Sequence, residues 1–242
     1  MIYMNENKKS NILGISEIKD GCIKISNGNN QETQICVAQE ELRQGIEIVE
    51  QYENSVTFYG SARLKEDHPD YIKAQNLAKK ISKELGYVIL SGGGPGIMEA
   101  SNRGASEAGG KSVGLTIKLP MEQSTNKYVN EEIPFYFFFT RRVTMSYTAK
   151  ACLFFPGGFG TFDEFFEILT MKQTGKIKNV PIILVGSDFW NPLNKMMKEV
   201  LADKYETISD EDMNLYTITD SDDEILEIIK NSSIKAGDNS LE

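Results

Sequence analysis

The sequence predicts a doubly wound α/β fold, a mostly parallel sheet with helices on both faces. Three observations predict it. Strand-like and helix-like segments alternate through residues 55–231, and that alternation implies parallel pairing through right-handed crossovers. Several of the strand candidates are continuously apolar, as happens when both faces of a sheet are covered. Two glycine turns of the same GGxG spacing each follow an apolar strand and precede a helix. In a parallel sheet both turns fall on one edge, the edge beyond the carboxyl ends of the strands where ligands bind.

The elements run as follows. Residues 1–54 have weak periodicity. "CIKIS" reads as a short strand and "AQEELRQGIEIVEQY" as an amphipathic helix, together an N-terminal extension packed on the main domain or on a neighbouring subunit. From Ser55, "SVTFYG" is a strand of β-branched and aromatic residues. "DYIKAQNLAKKISKELG" is a helix with Asp70 as candidate N-cap and Gly86 just past its end. The strand "YVILS", the turn "GGGPG" and the helix "IMEASNRGASEAG" follow, then the strand "SVGLTI". Residues 118–134 read as a polar loop and "FYFFF" as a strand. Thr140 is placed as the N-cap of the helix "RRVTMSYTAKA". "CLFF" is a strand, "PGGFG" a turn and "FDEFFEILTMKQ" a helix, with Thr161 and Glu164 spaced as a capping box. "VPIILVG" is a strand, Asp188 a candidate cap for a helix through "LNKMMKEVLADK", and "NLYTIT" and "DSDDEILEIIKN" close the series. One doubly wound α/β domain is expected over residues 55–231, with a frayed tail over 232–242.

Composition narrows the function. The 242 residues are 40% apolar and 25% charged, ordinary for a globular protein. No apolar run approaches the roughly 18 residues of a membrane helix, and the polar N-terminus lacks a signal-peptide core, so a cytoplasmic location is expected. The net charge is −9 with no basic block, which argues against nucleic-acid binding. Cys22, Cys36 and Cys152 are scattered and form no CxxC pair, which argues against a disulfide framework or a zinc site. A single histidine, His68, excludes sites that need two. Protons must then be handled by a carboxylate, Lys, Tyr or Cys.

The chemistry concentrates at the glycine turns. Gly93, Gly94 and Gly96 form the first, and Gly157, Gly158 and Gly160, with Phe159 between, the second. Glycine lets a backbone approach a ligand, and the helix start behind it offers free N–H groups with about half a positive charge. Such a turn is an anion site, most naturally for phosphate, although tight turns also use glycine for packing alone. The dinucleotide pattern GxGxxG fails, because Ile97 stands at its third glycine, and the P-loop pattern is missing. A monophosphate suffices. Arg141 and Arg142, expected in the first turn of their helix, oppose its dipole, which is tolerated more readily beside an anion. The aromatic run at 135–139 is either sheet core or a platform for a base. Ser61, after the first strand, either binds phosphate or caps its turn. Met98 either packs on a base or in the core.

"SGGGPGIMEA", "RRVTM" and "PGGFGTFDE" together resemble the LONELY GUY (LOG) family of nucleotide phosphoribohydrolases, whose marks are PGGxGTxxE and an upstream Arg-(Lys/Arg)-x-x-Met. The resemblance runs through residues 55–190, with Arg142 where many members carry Lys. It implies a Rossmann-like fold, a homodimer or larger homo-oligomer, no cofactor and no metal. It implies hydrolysis of the N-glycosidic bond of AMP or an N6-modified cytokinin ribotide to free base and ribose 5-phosphate. In the family's pattern the catalytic pair falls on Arg141 and Glu164.

Glu164 would stabilise positive charge at the anomeric carbon or activate water. Thr161 and the N–H groups around it would hold the phosphate. Glu167, one turn on, either assists with ribose hydroxyls or is a half-exposed helix residue, and Glu99 stands in the same position behind the first turn. Asp163 lies about 100° away around the helix and is assigned a surface or supporting role. The alternative is a carrier of nucleotides or phosphorylated pterins such as molybdenum cofactor, without catalysis. The old lysine decarboxylase label of such proteins finds no recognisable pyridoxal-phosphate lysine here.

Overall fold

A computed structural model describes residues 31–52, 54–118, 124–147, 149–177 and 180–232. In chain order the elements are α1 (Gln31–Val49), β1 (Ser55–Tyr59), α2 (Pro69–Leu85), β2 (Val88–Ser91), α3 (Ile97–Glu107), β3 (Ser112–Ile117), β4 (Glu131–Phe135) and α4 (Phe138–Tyr147). Then come β5 (Ala149–Phe154), α5 (Phe159–Gln173), β6 (Ile182–Leu184), α6 (Ser187–Met196), β7 (Thr217–Ile218) and α7 (Asp222–Asn231). A π-helical segment, Met197–Ala202, continues α6, and a 3-10 turn, Glu211–Asn214, precedes β7. The predicted strand "CIKIS" and nearly all of the tail lie outside the described residues.

The seven strands form one sheet in the order β4-β3-β2-β1-β5-β6-β7, every neighbouring pair parallel. The chain winds outward from β1 to β4, then returns to the other side of β1 with β5. The order therefore reverses between β1 and β5, and a crevice opens beyond their carboxyl ends.

Side-chain alternation builds a core on each face of the sheet. In β5 and just beyond it, Ala151, Leu153 and Phe155 join Val56, Ile89, Ile97 and the inward residues of α2 and α7. Cys152 and Phe154 point to the opposite face, with Leu115, Phe135, Met145, Phe165 and Trp190. Val49 and Tyr52 join this second core, so α1 is packed onto the sheet alongside α4.

Several predicted boundaries move. The strand read at "FYFFF" lies upstream and keeps only Phe135 of that run. Phe138 and Phe139 begin α4, so Thr140 lies inside the helix and Arg141 is its fourth residue. α5 starts at Phe159 behind an N-cap at Gly158. Thr161 is then its third residue and Glu164 its sixth, which rules out the capping box. His68, not Asp70, caps α2, its Nδ1 accepting from the Asp70 N–H at 3.2 Å; Pro69 fills the next position, where no amide hydrogen is needed. Gly86 ends α2 in the left-handed region, φ 69°, as expected. At α6 the N-cap is Gly186, and the Asp220 carboxylate accepts its N–H at 2.7 Å. Asp188 is a first-turn residue instead.

α2 and α3 cross closely at Gly104, where an added Cβ would lie 2.0 Å from the Gln75 carbonyl oxygen. Glycine-to-alanine in a free helix stabilises by about 1 kcal/mol. Here the sign should reverse: Gly104→Ala is expected to destabilise by about 1–3 kcal/mol through overpacking. A lower urea midpoint at unchanged slope would show it, and an unchanged or higher midpoint would contradict it.

Candidate active site

The crevice at the β1/β5 reversal is a cavity of about 920 Å³. Four loops and helix starts converge on it. From β1 come Gly60 and Ser61; from β2, Gly92, Gly93 and Gly94; from β5 and α5, Gly157 to Thr161; from α4, Phe138, Arg141 and Met145. Met98 and Glu164 complete the set of expected residues on its wall.

The two glycine turns differ in what their glycines do. Gly93 has φ 70°, and a Cβ there would meet Thr116 Cγ2 at 2.7 Å. At Gly157 a Cβ would meet Thr161 Oγ1 at 2.1 Å, so the loop folds back over the start of α5 only because it lacks one. At Gly158 and Gly160 the added atom would have nothing within 4 Å. Open space therefore lies in front of the first N–H groups of α5, where the helix dipole favours an anion.

Ser61 knits the loops together. Its N–H donates to the Pro156 carbonyl at 3.0 Å and its carbonyl accepts from the Ile97 N–H at 2.9 Å. Its hydroxyl accepts from the Arg63 N–H at 3.1 Å, stabilising the turn while facing the cavity. Gly96 lies behind this junction. With φ 70° and a would-be Cβ 2.2 Å from the Ser61 carbonyl oxygen, it permits the contact and does not line the cavity.

Arg141 and Glu164 meet at the wall. Arg141 Nη2 donates to Glu164 Oε1 at 2.7 Å, with the two side chains 11% and 14% exposed. The guanidinium also lies 5.8 Å from the centre of the Phe138 ring. A Cβ on Gly92 would stand 2.7 Å from Met98 Sδ and 3.3 Å from Arg141 Nη1, so the missing side chain leaves room for both beside the first glycine turn. Arg141 Nε is buried without a hydrogen-bond partner. Burial pushes the Glu164 carboxyl above the ordinary 4.5, and the charge of Arg141 works against that rise. Tyr59, buried beneath the site, has its phenol raised for the same reason.

The neighbouring charges turn away. Arg142 pairs with Asp163 and, at 3.0 Å, with Glu167, on an adjoining groove of α5 beside Phe159 and Phe162. Glu167 is thus outside the cavity wall. Glu99 accepts from the Tyr71 hydroxyl at 3.4 Å and is not on the wall either. Met145, the last residue of RRVTM, lines it, and so do residues not picked out in the sequence: Arg63, Thr116, Thr125 and Phe189. Arg63 was within reach of sequence reasoning, two residues beyond Ser61 on the same edge. Thr125 was not, because it arrives on a loop held by Asn126, whose amide nitrogen contacts the carbonyls of Gly93 and Gly94, each at 3.0 Å.

A family model described as possible lysine decarboxylase matches residues 98–229, more than half of the chain. The chain belongs to this family, the LOG family. Its relatives include cytokinin riboside 5'-monophosphate phosphoribohydrolase LOG2 of Arabidopsis thaliana, 28% identical over 48% of this chain and 54% of the relative. LOG5 of the same plant is 26% identical over 66% of this chain and 71% of the relative. The chain therefore spans just over half the length of the first. Among solved structures, the molybdenum cofactor binding protein of Rippkaea orientalis superposes with a TM-score of 0.54 at 22% identity, over 74% of this chain and 96% of its own. That likeness shows a shared fold. No helix among the described residues is long and apolar enough to cross a membrane.

The decarboxylase in the family model's description finds no lysine among the described residues of the cavity wall. The half-buried Lys172 is tied instead to the carbonyls of Val180 and Leu215, at 3.0 and 2.7 Å.

Because the fold raises the Glu164 pKa above 4.5, the native state binds more protons than the unfolded chain between those two values. Stability from this group is complete below the unfolded value and is lost as pH rises through the folded one. Compared with Glu164→Gln, which does not titrate, the wild type should lose stability across that window. Urea midpoints of both proteins measured between about pH 4 and pH 7 check this; parallel curves would contradict it.

Proposed function

We propose that this LOG-family chain is a nucleotide phosphoribohydrolase that cleaves the N-glycosidic bond of a nucleoside 5'-monophosphate, AMP or an N6-modified relative. The observation that carries this is the buried Arg141–Glu164 pair, set between an anion-ready helix start and a second glycine turn in one cavity. The names of LOG2 and LOG5 support the same reaction class.

In this reading the 5'-phosphate sits in the open space at Gly158 and Gly160, against the N–H groups at the start of α5 and the Thr161 hydroxyl. Ser61 and Arg63 reach the same anion from the β1 side. The base lies toward Met98, Phe138 and Met145, the apolar part of the wall. As the bond from C1' to the base nitrogen lengthens, positive charge grows on the ribose, as in glycoside hydrolysis. The Glu164 carboxylate stabilises that charge and takes a proton from the attacking water. Glu164 gives that proton up again through solvent as the departing base nitrogen gains one, so the carboxylate is regenerated, one water is consumed, and free base and ribose 5-phosphate leave. Arg141 holds Glu164 ionised and aimed. The low-water wall strengthens each of these interactions.

Self-association is also proposed. Phe138 and Phe159 stand exposed on the cavity wall, Phe166 on the adjoining groove of α5, and Phe139 next to Phe138 in α4, and exposed aromatics of this kind mark contact surfaces. Light scattering on the purified chain should give twice the chain mass or a higher multiple, and a monomer at micromolar concentration would contradict it.

Glu164→Gln and Arg141→Ala are each expected to lower turnover of AMP by at least about 10², the usual contribution of a positioned catalytic group. Wild-type kcat/KM should fall on an acid limb above pH 4.5 that Glu164→Gln removes. Chromatographic detection of adenine and ribose 5-phosphate provides the assay. Full activity in Glu164→Gln would remove Glu164 from the mechanism, and tight AMP binding without base release would replace hydrolysis with a binding role.

A further inference from the structure

Glu41 lies on α1, outside residues 98–229 that match the family model, and is fully buried. Its Oε1 accepts from the Tyr136 N–H at 2.6 Å and its Oε2 from the Phe137 N–H at 3.3 Å and the Thr140 hydroxyl at 2.7 Å. Among the described residues no lysine or arginine pairs with it. Tyr136 and Phe137 lead directly into α4, and the positive end of that helix's dipole favours a carboxylate beside its start. The phenylalanines of this aromatic run carry no side-chain acceptor, and Glu41 supplies one from α1.

α1 is held to the place where it delivers this contact. At Gly45, one turn on from Glu41, an added Cβ would stand 2.9 Å from both Phe135 Cζ and Thr144 Oγ1. The backbone of α1 therefore rests directly on the end of β4 and on α4. Thr140, which Glu41 holds, is followed immediately by Arg141.

We infer that Glu41 is a positioning residue: by anchoring the entry to α4 and Thr140 within it from a separate helix, it holds Arg141 in place on Glu164. If Arg141 and Glu164 act as proposed above, the N-terminal helix belongs to the catalytic apparatus. A misplacement of about 1 Å far from the reacting atoms can cost 10²-fold in rate. The groups that act electrostatically on Glu164 are Arg141 and Arg142 from α4 and Asp163 on its own helix, with Tyr59 facing it from β1. Arg141 is the chief one opposing the upward push of burial, so its withdrawal must let the Glu164 pKa rise further.

Glu41→Gln keeps the shape but turns an NH₂ toward a donor. It is expected to lower kcat/KM for AMP at least about tenfold, within the loss that misplacement brings, and to move the acid limb to higher pH. Thr140→Val removes the hydroxyl from the other side of the contact and should move the limb the same way, while Thr140→Ser should not. A direct reading comes from ¹³C NMR titration of the Glu164 carboxyl, assigned by its absence in Glu164→Gln. It should titrate at higher pH in Glu41→Gln, or in Thr140→Val where Glu41→Gln does not fold.

A lowered melting temperature with Glu164 titrating as in the wild type would overturn the inference and leave the catalytic assignment standing. Full AMP turnover in Glu164→Gln together with a shifted ¹³C titration would do the reverse: Glu41 would still position Arg141, and the assigned chemistry would be wrong.

Discussion

Two charges withdrawn from water, Arg141 and Glu164, have to satisfy each other, and the site is built around their 2.7 Å contact. A buried pair of this sort contributes little net stability, but losing one member strands the other at a cost of about 3–5 kcal/mol. The fold therefore has to deliver both partners to one point. α4 enters β5 and α5 leaves it, so the two helices flank the strand that pairs with β1 at the sheet's reversal. Gly92 admits the guanidinium from the β2 side. Phe138 lies beside it. The ion pair, the cavity and the topology are thus three consequences of one placement.

Residues adjacent in sequence are parted by the helix. Successive residues sit about 100° apart, so Arg141 faces the cavity and Arg142 the groove outside it. Asp163 and Glu167 hold Arg142 there. This outer set keeps the second guanidinium from competing for Glu164. The doublet of arginines therefore carries two different jobs, one electrostatic contact inside the wall and one on the surface.

Much of this was legible in the residues. The alternation of apolar strands with amphipathic helices has a strong period, and the parallel sheet with its ligand edge follows from it. PGGFGTFDE and RRVTM named the pair that the structure brings together. Legibility failed at helix starts. Five aromatics at 135–139 have no period that separates strand from helix, and the chain leaves the strand after the first of them. The start of α4 is anchored by Glu41 and that of α6 by Asp220, residues distant in sequence, and no local pattern announces a contact delivered through space. In α5 the spacing of Thr161 and Glu164 imitated a capping box. The glycines before them let the helix begin earlier and turned Glu164 from a terminal residue into a wall residue.

Those same glycines separate packing from ligand binding. A glycine is needed for the fold where φ is positive or where a Cβ would collide, and Gly93, Gly96 and Gly157 each meet one of these conditions. Gly158 and Gly160 meet neither: their φ angles are not positive and the space beside them is empty. At the N-cap Gly158 glycine is preferred over alanine in any case, but at Gly160, inside α5, alanine would favour the helix. What glycine adds at Gly160 is open space beside the start of α5. That open space and Glu164 line the same cavity, so one turn of chain sets an anion-ready helix start and a carboxylate on a single wall.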